Sequence, residues 1–261
     1  MRVTWGGPSD SLRDIYEHRG ELEYDEPGVL PDPRLSRKFE RMTALVAETL
    51  PAESLLDAGC GDGRFLAGLA RLSDRPTHLV GIDISQRILD TARRWAERDG
   101  FDVELVRANM EKLPFADASF DRVLSVQAIE HLLDPQAGIG ELARVLRPGG
   151  KLILSTDSSH NLVSRTINAP RAALVGILRL RGRRLRVHFP HFQFDPDELV
   201  RMVEAAGLRV EHRETFAFHV DGLSTPVVAR LAAAADRALS PHSVGDIVAV
   251  VASKGYADER T

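Results

Sequence analysis

The stretch Leu55-Leu56-Asp57-Ala58-Gly59-Cys60-Gly61-Asp62-Gly63-Arg64-Phe65 constrains this chain more than any other. A short apolar run ends on an acid, enters a turn with glycine at every second position, and leads into a helical pattern over residues 64–72. Glycines 59, 61 and 63 place no Cβ in the turn, so its backbone is free to take positive φ and to approach a ligand closely. A strand that runs through such a turn into a helix is the shape of a nucleotide-type site. Plain strand–helix packing uses the same kind of turn, and the turn alone leaves both readings open.

The surrounding rhythm decides the fold class. From Ser54 onward, strand and helix signals alternate. Residues 78–83 form a second apolar run ending on an acid, and Ser85 caps a helix to about Asp99. Residues 103–107 and 121–126 read as the third and fourth strands, the latter followed by a helix rich in Ile129, Leu132 and Leu133. A further helix around residues 142–146 stops at Arg147-Pro148-Gly149-Gly150, and residues 151–156 form the fifth strand. This alternation predicts an α/β fold, a doubly wound parallel sheet covered on both faces, with ligands at the C-terminal strand ends.

Flanking segments complete the plan. Phe39, Met42, Leu45, Val46 and Leu50 recur at helical spacing, so residues 1–50 read as an N-terminal helical segment over the active site. Residues 51–157 form the cofactor-binding core. The pattern breaks over residues 158–194, where one or two helices over 161–180, the run Arg179, Arg181, Arg183, Arg184 and Arg186, and His188-Phe189-Pro190-His191-Phe192 suit a substrate lid inserted after the fifth strand. Residues 195–261 return to the sheet. Asp195-Pro196 opens a helix to about Gly207, residues 208–213 and 247–252 read as the last two strands, and a helix over 226–239 lies between them.

Composition excludes several function classes. Net charge is −4, so no global basic field draws the protein to nucleic acid, and the five arginines read as a solvated lid face. No apolar run approaches the roughly 18 residues of a membrane span. One cysteine excludes an intramolecular disulfide, and the first residues lack a signal-peptide core; the expectation is a soluble cytoplasmic protein.

Two acids narrow the ligand. Asp57, beside the turn, is placed to accept from a ligand ammonium, and Asp83, about 20 residues past the turn, to take both hydroxyls of a ribose. That spacing also suits NAD. Asp62 inside the turn argues against it, because an acid there repels a pyrophosphate and favours a cation.

With these residues in order, the resemblance is specific. Leu56-Asp57-Ala58-Gly59-Cys60-Gly61-Asp62-Gly63, Gly81-Ile82-Asp83-Ile84-Ser85, Asn109-Met110-Glu111-Lys112-Leu113-Pro114-Phe115 and Arg147-Pro148-Gly149-Gly150-Lys151-Leu152 together resemble the class I S-adenosylmethionine-dependent methyltransferases. The resemblance implies a Rossmann-like sheet of seven strands, mostly parallel, whose last strand is antiparallel. It implies a donor site made of Asp57, Gly59, Cys60 and Gly61 along the methionine moiety, Asp83 and Ile84 at the ribose, Asn109 and Met110 at the adenine, and Gln127 near the sulfur. Asn109 stands where the family often has Asp, a mild change because an amide still accepts from the adenine amine.

The catalytic side is carried by Gln127-Ala128-Ile129-Glu130-His131 after the fourth strand. Methyl transfer is an in-line displacement, so an enzyme mainly aligns the nucleophile, and an oxygen nucleophile must also lose its proton. His131 is the candidate general base, with Glu130 and His191 as further catalytic candidates. Capping and packing of a helix start is the alternative role for Glu130 and His131. The chain also resembles ubiquinone-pathway O-methyltransferases and small-RNA 3′-terminal ribose 2′-O-methyltransferases, in which Glu-x-x-Glu-His and a later histidine hold a divalent ion. That likeness implies a site for Mg²⁺ or another divalent metal at Glu130, His131, His188 and His191, weakened by Gln127, which is neutral where those families have an acid. The expected enzyme, a monomer or homodimer, methylates a small molecule, first a natural-product or quinone-like acceptor at oxygen. The alternatives are an RNA 3′-end methyltransferase, a C- or N-methyltransferase, and a scaffold without catalysis.

Overall fold

The structure is a computed structural model and describes residues 33–160, 192–216 and 245–256. Helix α1 (Pro33–Ala47) precedes a run of alternating elements: β1 (Ser54–Ala58), α2 (Arg64–Leu69), β2 (His78–Asp83), α3 (Gln86–Asp99), β3 (Glu104–Arg107) and β4 (Phe120–Val126). After a 3₁₀ turn at Ile129–His131 come α4 (Pro135–Val145), β5 (Leu146–Asp157), α5 (Pro196–Ala205), β6 (Leu208–Phe216) and β7 (Ile247–Lys254). The seven strands form one sheet in the order β3-β2-β1-β4-β5-β7-β6. Pairs from β3 through β5 are parallel, while β7 runs antiparallel to both β5 and β6. This is the mixed seven-stranded sheet that the resemblance implies.

Period-two alternation splits the strand residues between two cores. Leu55, Leu79, Leu124, Ile153 and Val251 face α1, α2 and α3, meeting Met42, Leu45, Phe65 and Leu89. Leu56, Val80, Val123, Leu152 and Val250 face α4 and α5, meeting Ile139, Leu142, Leu199 and Val203. Each fully buried aliphatic side chain contributes roughly 1.5–3 kcal/mol. A surface ion pair contributes about 0–1 kcal/mol, so the two cores and not the surface charges hold the sheet.

Helix α1 is fastened by both kinds of contact. The Phe39 ring lies 5.2 Å from that of Phe65, over Gly68, where a Cβ would run into the Phe39 ring. On its other side Arg41 donates to both carboxylate oxygens of Glu214 on β6, at 2.6 and 2.9 Å. The rest of the expected N-terminal segment, residues 1–32, lies outside the described residues, as do the expected helices over 161–180 and 226–239.

Two sequence expectations are corrected. The helix expected directly after β4 is only the turn Ile129–His131, and Leu132 is already extended at ψ 152°. Pro135 disfavours helical geometry at Asp134, and the Asp134 side chain instead caps α4 by accepting from the Ala137 N–H. The fifth strand also begins earlier than the expected residue 151. Helix α4 ends at Val145, and Arg147-Pro148-Gly149-Gly150 belongs to the irregular start of β5, opposite a register shift between Phe120 and Arg122 on β4.

The order of strands fixes where a ligand goes. From β1 the chain builds outward one way through β2 and β3 and then returns to place β4 on the other side. The C-terminal ends of β1 and β4 therefore flank the topological switch point, where open α/β sheets leave a crevice. The described residues that flank 161–191 are bonded to each other beside it. Phe194 N–H donates to the Asp157 carbonyl at 2.9 Å, and Ser159 N–H donates back to the Phe194 carbonyl at 2.9 Å.

Candidate active site

The turn after β1 is shaped by its glycines. Gly59, Gly61 and Gly63 take φ of 80°, 54° and 79°. The amides of Gly59 and Cys60 both donate to the Ile82 carbonyl, at 2.9 and 2.8 Å, which locks the turn to the end of β2. A Cβ on Gly59 would come within 2.5 Å of the Ala128 Cβ, so the turn and the start of the β4 exit touch. Gly61 differs from its neighbours, because a Cβ there would meet nothing within 4 Å. It faces an open cradle.

Three acids surround this cradle and each is held differently. Asp83 accepts from the Gly61 N–H at 3.1 Å through one oxygen and from the Ser85 N–H at 3.0 Å through the other. Both carboxylate oxygens are therefore oriented at the turn by backbone amides. Asp62 is buried and engaged by the guanidinium of Arg64, at 2.9 Å from Nε and 2.5 Å from a terminal nitrogen. Its charge is therefore taken up inside the protein, which corrects the reading that Asp62 selects a cationic ligand. That role falls to Asp57, which is 1% exposed and whose Oδ2 has no hydrogen-bond partner among the described residues. Burial first, then the charges of Asp83 and Asp62, push the Asp57 carboxyl up to about 8. A buried carboxyl with a bare oxygen suits a ligand that brings a positive charge.

The other sequence-derived donor residues line up around the same turn. Ile84 follows β2 and is half-buried. Ala108 N–H donates to the Asp83 carbonyl at 3.0 Å, which brings Asn109 and Met110 alongside. The Asn109 amide closes a local turn, accepting from Glu111 N–H at 2.9 Å and donating to the Glu111 carboxylate at 3.2 Å. The Met110 side chain drops into the core beneath Gly59.

Beyond β4 lies the reacting end. Gln127 takes φ 52°, left-handed for a non-glycine residue, and its N–H donates to the Ser155 carbonyl at 2.9 Å. Glu130 is 2% exposed and accepts from the Thr156 hydroxyl at 2.8 Å. Burial, then the neighbouring Asp157, raise its carboxyl to about 8. His131 Nε2 stands 3.9 Å from the other Glu130 oxygen. The Glu130 carbonyl accepts from Phe192 N–H at 3.1 Å, so the chain returning from residue 191 passes directly over this pair.

Of the expected metal set, His188 and His191 lie outside the described residues, as do the arginines 179–186. No group of three or more His, Cys, Asp or Glu able to hold a metal occurs among the described residues. The part that is described fits a hard divalent cation poorly. Glu130 already accepts from the Thr156 hydroxyl, and Gln127 contributes an amide where an acid would bring charge. His212 sits on β6 with Nε2 3.2 Å from Glu214, the carboxylate that Arg41 holds, and His219 lies outside the described residues. Sequence reasoning missed Thr156 and Lys38. Lys38, on α1, acts on the Glu130 carboxyl electrostatically. Only contact across the sheet reveals either residue, since neither belongs to a local motif. Among the described residues no helix is long and apolar enough to cross a membrane.

The comparisons agree with this geometry. A family model described as a methyltransferase domain matches residues 56–154. Methyltransferase GfsG of Streptomyces halstedii is 33% identical over 216 residues, covering 77% of this chain and 73% of that protein. A ubiquinone biosynthesis O-methyltransferase of Coxiella burnetii is 30% identical, covering 77% and 80%. The chain spans about half the length of other curated relatives that it matches, such as 56% of an O-methyltransferase of Pyrenophora dematioidea, and 42% of a 37.1 kDa protein in transposon TN4556 of Streptomyces fradiae. Among solved structures, magnesium protoporphyrin IX methyltransferase of Synechocystis with bound SAH superposes with a TM-score of 0.64 at 18% identity, covering 94% of this chain and 99% of that one. The [4+2]-cyclase SpnF superposes at 0.58 with 24% identity, covering 84% and 81%. With the matched motifs on the glycine turn and on the strand ends around it, the chain belongs to the class I S-adenosylmethionine-dependent methyltransferases.

Proposed function

We propose that the protein transfers the methyl group of S-adenosylmethionine to an oxygen of a small molecule, a natural-product or quinone-like acceptor. The observation that carries this reading is the placement of His131. It stands at the exit of β4 beside the cradle, with the Glu130 carboxyl 3.9 Å away. S-adenosylmethionine supplies an electrophilic methyl group when bound. Asp57 meets the positive amino-acid end, Asp83 the ribose hydroxyls, and the segment at Asn109 and Met110 the adenine. His131 takes the proton of the acceptor hydroxyl as the new oxygen–carbon bond forms and the sulfur–methyl bond breaks to leave S-adenosylhomocysteine. Glu130, anchored by Thr156, holds the turn that positions the imidazole. The O-methyltransferase names of several relatives support oxygen as the methylated atom. Residues 158–194 serve as the acceptor lid, a role supported by the bonds of the flanking Ser159, Phe192 and Phe194 beside this site.

Incubating the protein with S-adenosylmethionine and a panel of catechols, phenols and hydroxyquinones tests this directly. The expected product is a mono-methyl ether identified by mass and NMR. Methylation confined to nitrogen or carbon acceptors in a parallel panel would overturn the oxygen assignment. Because the described residues give a hard cation little charge, turnover is expected to persist in EDTA, and its abolition with rescue by Mg²⁺ would overturn that expectation.

The buried acids add a pH dependence. Asp57 and Glu130 ordinarily titrate at 3.8 and 4.5 and are raised to about 8 in the folded chain. A raised acid favours folding below its unfolded pKa and withdraws that support as pH climbs through the folded value. The ligand-free protein is therefore expected to melt lower at about pH 8.5 than at about pH 6. Asp57→Asn should reduce this slope, and an unchanged slope would contradict the assignment. Binding of the cationic donor requires the ionised form of Asp57, so donor affinity should rise over the same interval, with proton release visible as buffer-dependent heat.

A further inference from the structure

We infer that the ammonium of Lys38, on α1, faces the acceptor oxygen and stabilises the negative charge that gathers there as its proton leaves. The inference deepens the oxygen-methylation reading above and rests on it. Sheet register places the residue. Arg122, near the start of β4, donates through Nε to the Thr49 carbonyl at 2.8 Å. The C-terminal end of α1 therefore lies at the N-terminal ends of the strands, and its N-terminal end at the crevice. Within α1, Arg41 is tied to Glu214, which stands in one cross-strand row with Ala249, Ser155 and Val126. Lys38 lies three residues nearer the crevice than Arg41 and on the same helix face, about 4.5 Å further along the axis. That brings it to the level at which β5 ends at Asp157, two residues past Ser155 and on the same sheet face.

Anchoring and electrostatics agree with this placement. The contacts of Phe39 with Phe65 and of Arg41 with Glu214 hold this turn of α1 against the sheet. Lys38 is half-buried, and its charge is felt at the Glu130 carboxyl, where it opposes the upward push of burial and of Asp157. Its influence extends to the turn that carries His131, whose Nε2 is 3.9 Å from that carboxyl. An ammonium has three N–H donors, so bonding within the protein and donation to a ligand oxygen are compatible. During transfer the proton passes to His131, an oxygen electron pair forms the bond to the methyl carbon, and the sulfur–methyl pair returns to sulfur. Lys38 makes and breaks no covalent bond. It sets a fixed positive charge opposite the developing one, which costs no reorganisation at the moment of reaction. Asp157 alone would oppose an oxyanion at this end of the crevice, and Lys38 offsets it.

Two catechols test the assignment on the full chain saturated with S-adenosylhomocysteine. One is 4-nitrocatechol, whose visible absorption reports ionisation of its hydroxyl; the other is 4-methylcatechol, of similar size and less acidic. The variants are Lys38→Met, which keeps length and removes the charge, and Lys38→Arg, which keeps the charge. At a pH where free nitrocatechol is largely protonated, wild type is expected to bind its ionised form. It should bind that compound at least about tenfold more tightly than methylcatechol. In Lys38→Met the bound spectrum should be that of the protonated form and the preference should shrink to about twofold or less. Lys38→Arg should keep both. Turnover with S-adenosylmethionine gives a second readout. For methylcatechol, whose charge develops only during transfer, Lys38→Met should lower kcat at least about tenfold with KM nearly unchanged. An ionised spectrum and a preference retained by Lys38→Met would overturn the inference. Equal losses for the two catechols with a lower Tm would also overturn it, since they mark a residue that only balances the neighbouring acids. Wild type that binds and methylates neither catechol would strike the oxygen-acceptor reading, and this inference with it.

Discussion

Replacing His131 by alanine is expected to lower turnover by about 10²- to 10⁴-fold, the range over which a positioned general base accelerates proton removal. Affinity for S-adenosylhomocysteine should be unchanged, because the proposed site gives the imidazole to the acceptor and the turn and Asp83 to the nucleoside. The two effects separate because the backbone contact of His131, its N–H to the Ala128 carbonyl at 3.1 Å, survives the substitution. An acceptor that is already ionised in solution needs no base, so a more acidic phenol should suffer a smaller loss than a weakly acidic one. That dependence on acceptor acidity distinguishes proton transfer from mere packing of the turn. Full turnover of the alanine variant on every acceptor would remove His131 from the chemistry.

The substitution Asp83→Ala should have the largest effect on donor binding. It leaves the Gly61 and Ser85 amides without the carboxylate oxygens that now accept from them at 3.1 and 3.0 Å. Each buried polar group left unpaired is unfavourable by about 1–3 kcal/mol, and the ribose loses its acceptor as well. S-adenosylhomocysteine should therefore bind at least about 100-fold more weakly. Asp83→Asn keeps one acceptor oxygen and exchanges the other for a donor that opposes an N–H. Its loss should fall between wild type and alanine. Measuring both variants well below their melting temperatures separates binding from unfolding. Equal binding by wild type and Asp83→Ala would show that the ribose lies elsewhere.

What the sequence displays and what it hides follow from the range of the interactions involved. Strand β2 and helix α3 are legible to the residue, because their apolar period, the acid at Asp83 and the Ser85 cap are all local signals. The glycine turn is legible for the same reason, since positive φ at three alternate positions requires glycine. The state of its acids is not. Asp62 looks like the group that chooses the ligand until the fold wraps Arg64 onto it, and Asp57 becomes the uncompensated acid only once burial has removed water. The exit of β4 is misread for a related reason. Ile129, Leu132 and Leu133 have helical spacing, but Pro135 and the Asp134 cap start the helix later and leave Glu130 and His131 on a short turn. The Thr156 hydroxyl that fixes Glu130 comes from β5, far along the chain, and no local pattern marks it.

S-adenosylmethionine and NAD call for the same ribose-binding acid, and the turn must favour one of them. The measurement that tests it most directly is a paired calorimetric titration of the wild-type protein with S-adenosylhomocysteine and with NAD. At about pH 8.5, where Asp57 is largely ionised, one molar equivalent of S-adenosylhomocysteine should bind, with no saturable heat from NAD, because the bare Asp57 oxygen beside the cradle favours a cationic amino-acid end and repels a pyrophosphate. Saturable binding of NAD with none of S-adenosylhomocysteine would contradict the account at its centre.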